Sequence, residues 1–191
     1  MDQTQAPNRT RQPRISLNEM TTIAREYCGL VENLETNGIG NAWILRMGRL
    51  LPRLHSAIIL LETPQQYTYT HQLDNDDRRC ELFMRLNEFF LSDRLIWPEF
   101  ETYEPEVKKN ELKVQMCESL AYDFTDMYFD LKQGLELLTL YPNQPNHAAN
   151  NWRSSFFYHW GRQLVDAEQW LYAVGCCDQE IGSDNLTSQP V

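Results

Sequence analysis

The chain has 191 residues, of which 42% are hydrophobic and 23% charged, so one folded domain is expected and a disordered chain is excluded. Its formal net charge of −10 argues against nucleic-acid binding as the main activity, because so acidic a surface repels phosphate backbones. No run of 18 apolar residues occurs, and the polar N-terminus lacks the apolar core of a signal peptide. The expectation is therefore a cytoplasmic protein that does not enter a membrane.

Hydrophobic residues recur at helical spacing along most of the chain. Residues 1–14 are polar and precede this pattern, so a disordered N-terminal arm is expected there. Ser16 followed by Glu19 predicts a capping box at the start of the first helix. Pro52 is expected to kink or divide the second helix. The predicted helices cover about residues 17–34, 41–62, 76–91, 109–141 and 149–174.

Helices therefore dominate the chain, and most of the connections between them are short. This pattern predicts an all-α fold, an antiparallel helical bundle of about five helices. Residues 92–106, between the third and fourth helices, are rich in aromatic side chains and contain two prolines, so a short aromatic loop is expected there. The predicted organisation is a single helical domain over residues 15–175, followed by a flexible C-terminal tail over residues 176–191.

The fourth predicted helix carries aspartates that fit neither its core face nor its solvent face. Asp123, Asp126 and Asp130 are spaced i, i+3, i+7, which places them within about 60° of one another on a helical wheel. Like charges so close together are unfavourable, and if they are partly buried they need cations nearby. The predicted solvent face of the same helix consists of Glu118, Thr125, Lys132 and Glu136.

The fifth predicted helix carries the counterparts of these aspartates. His159 and Asp166 share one stripe with Gln163, and Arg162 lies to one side, within reach of a neighbouring carboxylate. If the two helices are antiparallel neighbours, these side chains face the aspartates. The candidate polar seam consists of Asp123, Asp126, Asp130, His159, Arg162 and Asp166, and the aromatic residues that flank it are Tyr122, Tyr128, Trp152, Trp160 and Trp170.

Three interpretations of this seam follow from its side chains. The favoured one is a structural network of ion pairs and hydrogen bonds that fixes the register of the last two helices. The second is a divalent-metal site, although the Glu-x-x-His motifs of di-iron bundles are absent. The third is a pocket in which the aromatic residues form the walls and the aspartates select a cationic ligand. The candidate metal ligands are Asp123, Asp126, Asp130 and His159.

The two polar helices resemble a bacterial domain-of-unknown-function family of small helical proteins. Its members carry an acidic LADDxxDIYxDLKxGL-like helix followed by a W-x-x-SF-x-x-HWG-x-x-x-x-DA-like helix. The resemblance covers most of residues 15–174 and implies an all-helical fold and a bacterial source, but no activity. Gln163 stands where some members have a second histidine, which weakens the metal interpretation. The matching residues are Leu120, Asp123, Asp126, Tyr128, Asp130, Leu131, Lys132 and Gly134, then Trp152, Ser155, Phe156, His159, Trp160, Gly161, Asp166 and Ala167, with Leu51-Pro52-Arg53-Leu54 similar to an LLPRL segment.

The sequence therefore predicts a soluble, acidic, bacterial protein that acts as a non-catalytic interaction or ligand-binding module with a structural Asp/His/Arg network. The alternative is a metal-dependent hydrolase that uses the same Asp/His cluster. No cofactor is required by the sequence. The expected partner is a protein or a small molecule, and neither a nucleic acid nor a membrane.

Overall fold

The computed structural model describes residues 15–34, 40–63, 76–92 and 106–183, except for the side chains of residues 40–41, 106–109 and 173–183. Within these ranges the chain is helical apart from short turns and an isolated β-bridge between Ile15 and Leu61. None of the helices described is both long and apolar enough to cross a membrane. The helices are α1 (Leu17–Glu32), α2 (Gly40–Leu60), α3 (Asp76–Leu91), α4 (Glu106–Leu140), α5 (Asn146–Ser155) and α6 (Gly161–Ser183), and a π-helical turn (Phe156–Trp160) joins α5 to α6.

The all-α bundle predicted from the periodicity is confirmed. The helices pack against one another. Because α5, the π-helical turn and α6 follow one another without a break, they form one continuous helical segment, and the described residues contain five such segments. The predicted cap at Ser16 is present, because its hydroxyl accepts a hydrogen bond from the Glu19 backbone N–H at 3.2 Å. The cap at Ser16 and the spacing of apolar residues therefore correctly predicted where α1 begins and how many helical segments the described residues contain.

Pro52 does not divide the second helix, because α2 continues through it. Helix α6 is described as far as Ser183. The predicted N-terminal arm, almost all of the predicted aromatic loop and residues 184–191 of the tail lie outside the described residues.

Helix α4 lies at the centre of the bundle, in contact with α1, α3, α5, the π-helical turn and α6. Phe124 packs against Trp43 with ring centroids 5.4 Å apart. The Tyr27 hydroxyl donates a hydrogen bond to the Phe124 carbonyl at 3.0 Å. Because neighbours surround α4 on several sides, Thr125 is buried, although the helical wheel predicted it to face solvent. Its hydroxyl donates instead to the Ala121 carbonyl at 2.7 Å.

The crossing of α4 and α5 depends on a glycine. The buried Trp152 indole N–H donates a hydrogen bond to the Leu131 carbonyl at 3.0 Å. A Cβ at Gly134 would lie 2.6 Å from Cδ1 of Trp152 and closer still to Nε1 and Cε2. Only glycine therefore lets the indole ring approach the backbone of α4 at this point.

Gly134→Ala is expected to lower the free energy of unfolding by about 2 kcal/mol, because the new methyl group forces Trp152 away from α4. At an open helical position the same change stabilises by up to about 1 kcal/mol. Gly29 in α1 is such a position, since no neighbouring atom lies within 4 Å of a Cβ built there. Urea denaturation of both variants should show effects of opposite sign. Equal effects would contradict the packing of Trp152 against Gly134.

Candidate functional site

Four charged side chains from three parts of the fold meet on one side of α4. This charged cluster consists of Arg79 of α3, Asp126 and Asp130 of α4, and His159 of the π-helical turn. Nη1 of Arg79 forms an ion pair with Oδ1 of Asp126. His159 Nδ1 lies 2.5 Å from Oδ2 of Asp130, and His159 Nε2 lies 3.4 Å from Oδ2 of Asp126. Both aspartates are buried, and each charge faces an opposite one.

Arg79 is a member of the cluster that sequence reasoning missed. The helical wheels compared the last two helices, whereas Arg79 comes from the first turns of α3. Its guanidinium also lies over the ring of Phe129, 4.9 Å from the ring centroid, a favourable arrangement for a cation. The sequence indicated Arg79 only indirectly. Aspartates that lie away from solvent require a nearby cation, but their spacing does not identify the helix that supplies it.

The π-helical turn positions His159. Such a turn inserts an extra residue into a helix, and Gly161 closes it by donating its backbone N–H to the Phe156 carbonyl. A Cβ at Gly161 would lie 2.5 Å from that carbonyl oxygen, so the turn requires glycine there. The Trp160 indole N–H donates to the Ser155 hydroxyl at 2.8 Å across the turn. Neighbouring side chains therefore hold the turn that directs His159 at the aspartates.

The cluster favours the protonated form of His159. Its hydrogen bond with Asp130 raises the pKa of His159 above the usual value, and the charge of Asp126 acts in the same direction, while partial burial opposes both. With His159 protonated, the cluster contains two cations and two anions. It is then neutral as a whole, which is the condition under which buried charges are tolerated.

Asp123 and Asp166 take no part in the ion pairs of the charged cluster. Asp123 is buried, and its Oδ2 has no hydrogen-bond partner among the described residues. Burial, together with the charges of Asp166 and Asp126, raises the pKa of Asp123 to about 7. Arg162, expected to reach a carboxylate on the neighbouring helix, pairs with Asp166 of its own helix, with Nε 3.5 Å from Oδ2.

The aromatic residues predicted to flank the seam lie in different surroundings. Trp152 and Trp160 are fully buried in the core, Trp170 is partly buried, and Tyr122 is exposed. The Tyr128 hydroxyl donates to the carboxylate of the last residue of α1 at 2.8 Å. The five aromatic residues therefore lie in separate parts of the fold.

Three of the four candidate metal ligands, Asp126, Asp130 and His159, are already in contact with other charged groups of the protein. Arg79 pairs with Asp126, and His159 is hydrogen-bonded to Asp130. Within the described residues, no group of three or more His, Cys, Asp or Glu side chains is arranged to hold a metal ion. The geometry described therefore favours internal pairing of these charges.

Residues 12–176 match a protein family whose description is Domain of unknown function (DUF5063). The chain belongs to this family. The match confirms the resemblance inferred from the two polar helices, and it includes every residue of the charged cluster. No curated protein and no solved structure matches the chain.

This family member also has a groove between α2 and α6, with a volume of about 990 Å³. Apolar side chains form most of its walls. Leu45 and Ile59 of α2 are 45% and 48% exposed, and Val165 and Tyr172 of α6 are 48% and 75% exposed. Gly48 also lines the groove, and no neighbouring atom lies within 4 Å of a Cβ built there. Several large apolar side chains exposed on one surface are typical of an interaction site.

A polar pair spans the two helices of the groove. His55 Nδ1 of α2 lies 3.1 Å from Oε2 of Glu168 of α6. Sequence reasoning identified neither this pair nor the groove, because both exist only once α2 and α6 are placed side by side. The exposed residues that line the groove are separately compatible with an ordinary helix surface.

Proposed function

We propose that the chain is a non-catalytic interaction module that receives an amphipathic helix, basic on its polar face, in the groove between α2 and α6. In this proposal the charged cluster is structural. The observation that carries the proposal is the groove itself, since it combines exposed apolar walls with an open position at Gly48.

The pairing within the charged cluster supports the structural role. Asp126 and Asp130 are 1% and 4% exposed and face Arg79 and His159, so a substrate has little access to their oxygens. An ion pair between buried groups on different helices fixes how those helices pack. The cluster ties α3 and the π-helical turn to α4, and none of its four residues lines the groove.

The shape of the groove supports a helix as its occupant. The lining residues of α2 recur every three or four positions from Ile44 to Ile59, a span of about 22 Å along the axis. Those of α6 recur in the same way from Val165 to Tyr172. Two helical stripes with a gap between them are the surface against which a third helix packs its side chains.

The charge of the chain supports a basic partner. The groove is lined by one arginine, Arg49, and one glutamate, Glu168, so its walls are close to neutral. The whole chain carries a formal net charge of −10. An acidic body around a neutral apolar groove attracts a helix whose apolar face enters the groove and whose outer face carries lysine or arginine.

The proposal predicts saturable binding of a labelled model helix made of leucine and lysine, about 15 residues long to match the groove. Fluorescence anisotropy should show one peptide bound per chain. Gly48→Leu is expected to weaken binding by about tenfold or more, because the new side chain occupies the groove. Gly29→Leu is the matched control, since it makes the same change at an open position of α1, away from the groove.

Three results would contradict the proposal. The first is equal binding of the peptide by the native chain and by Gly48→Leu. The second is equal binding of a scrambled peptide of the same composition, which would show attraction by charge alone. The third is concentration-dependent dimerisation that Gly48→Leu abolishes, measured by analytical ultracentrifugation, which would make a second copy of the chain the occupant. Melting curves of both glycine variants establish that they are folded.

A further inference from the structure

We infer that a pocket between α3 and the C-terminal half of α4 binds a free α-amino acid with an apolar side chain. This mixed-charge pocket has a volume of about 260 Å³. Residues of α3, of α4 and of the end of α1 line it, and none of them lines the groove between α2 and α6. A failure of either proposal therefore leaves the other standing.

The mixed-charge pocket lies where α1 ends beside α4. Glu32 is the last residue of α1, whereas α4 continues to Leu140. The Tyr128 hydroxyl donates to Oε1 of Glu32 at 2.8 Å, and Lys132 Nζ donates to the same oxygen at 2.6 Å. Nη2 of Arg85 donates to the Glu32 carbonyl at 3.3 Å. Three hydrogen bonds from α3 and α4 to one residue therefore fix this end of the pocket.

Glu32 and Lys132 are both charged at neutral pH. Burial raises the pKa of Glu32, but the hydrogen bonds from Lys132 and Tyr128 outweigh it and hold this pKa below its usual value. The hydrogen bond with Glu32 raises the pKa of Lys132 in turn. An ammonium group has three N–H donors, and the contact with Glu32 uses one of them. The others are suited to a carboxylate of a ligand.

The mixed-charge pocket also contains charged side chains of both signs that are not paired with each other. Arg78 and Glu81 line it from α3, and Glu136 lines it from α4. All three are exposed, and none of them forms an ion pair with another of the described residues. A ligand with a single charge would match only one sign, whereas a zwitterion matches both. Its carboxylate is suited to Arg78 and its ammonium group to the two glutamates.

The volume and the apolar surface of the pocket indicate the size of the ligand. Leu82, Tyr128 and Phe129 supply this surface. The two rings lie edge to face with centroids 5.2 Å apart, and the Arg79 guanidinium lies 4.9 Å from the centroid of Phe129, so the aromatic wall is held in place. A volume of about 260 Å³ equals the share of about nine molecules in liquid water. A single amino acid with an apolar side chain is of this size.

The test uses L-leucine, L-methionine and L-phenylalanine as probes of the full chain. At least one of them should bind with one molecule per chain in isothermal titration calorimetry and should raise the melting temperature saturably. The N-acetyl derivative of each probe carries only the negative charge, and the amide of each carries only the positive charge. Both derivatives are expected to bind at least about tenfold more weakly than the parent amino acid, because each loses one set of charged partners.

Two substitutions remove the partners of the ligand one at a time. Arg78→Met removes a partner of the carboxylate, and Glu136→Gln removes a partner of the ammonium group. Each is expected to weaken binding of the amino acid by about tenfold. The matched controls are Arg25→Met in α1 and Glu118→Gln in α4, which make the same changes at exposed positions outside the pocket and should preserve binding.

Three results would overturn the assignment of an amino-acid site. One is the absence of a saturable response to all three probes beyond that of sodium chloride at the same concentration. Another is binding of a singly charged derivative as tight as that of its parent, which would make the pocket an anion or a cation site. The third is equal binding by either pocket variant and its control. All four substituted residues are exposed, so melting curves should show folded proteins, and unfolding would not explain a loss of binding.

Discussion

Replacing Arg79 by methionine is expected to lower the free energy of unfolding by about 3 kcal/mol. The change leaves Asp126, which is 1% exposed, without the guanidinium that forms its ion pair. His159 still faces Asp126 from 3.4 Å, so part of the charge remains compensated. The contact of the guanidinium with the Phe129 ring is lost as well. Urea denaturation at neutral pH measures the effect.

Arg78→Met is the matched control for this prediction. Arg78 precedes Arg79 on α3 and is exposed, so its loss should change stability by at most about 0.5 kcal/mol. Asp126→Asn in the Arg79→Met background should restore much of the lost stability, because it removes the unpaired buried charge. A similar loss for both arginine variants, or no rescue by Asp126→Asn, would show that the ion pair does not hold α3 against α4.

The sequence predicts much of the fold because helical periodicity is a local property. The spacing of apolar residues sets which face of each helix is buried before any neighbour is known. The same geometry separated Asp126 and Asp130 from the core and solvent faces of α4 and identified His159 as a counterpart, and the structure brings these three side chains together. The spacing of residues along two adjacent helices was enough to predict this part of the cluster.

The remaining parts of the site depend on tertiary contacts that no local pattern encodes. Arg79 is 47 positions before Asp126, and α3 also carries other arginines that do not reach the cluster. The wheel assumed an uninterrupted α-helix, whereas the π-helical turn changes the phase between α5 and α6. Thr125 was assigned to solvent because a wheel with one core face does not describe a helix surrounded by neighbours.

The largest pH effect is expected from Asp123. Its folded pKa of about 7 lies above the usual value of a carboxyl group, because the side chain is buried and lies near Asp166 and Asp126. A group with a raised folded pKa stabilises the fold at a pH below its unfolded pKa, and that stabilisation is lost as the pH rises through the folded pKa. The native chain should therefore lose on the order of 3 kcal/mol between about pH 4 and about pH 8 through this group.

Asp123→Asn is expected to be more stable than the native chain at pH 8 by about 2 kcal/mol or more, and close to it at pH 4, because the amide carries no charge at either pH. His159, whose pKa is also raised, loses stabilisation in the same direction, so the difference between the two proteins isolates Asp123. Urea denaturation across this pH range measures it, with Glu118→Gln as the control of equal charge. A difference that does not change with pH would mean that Asp123 is ionised at the same pH in the folded and unfolded chains, and that water reaches its carboxylate freely.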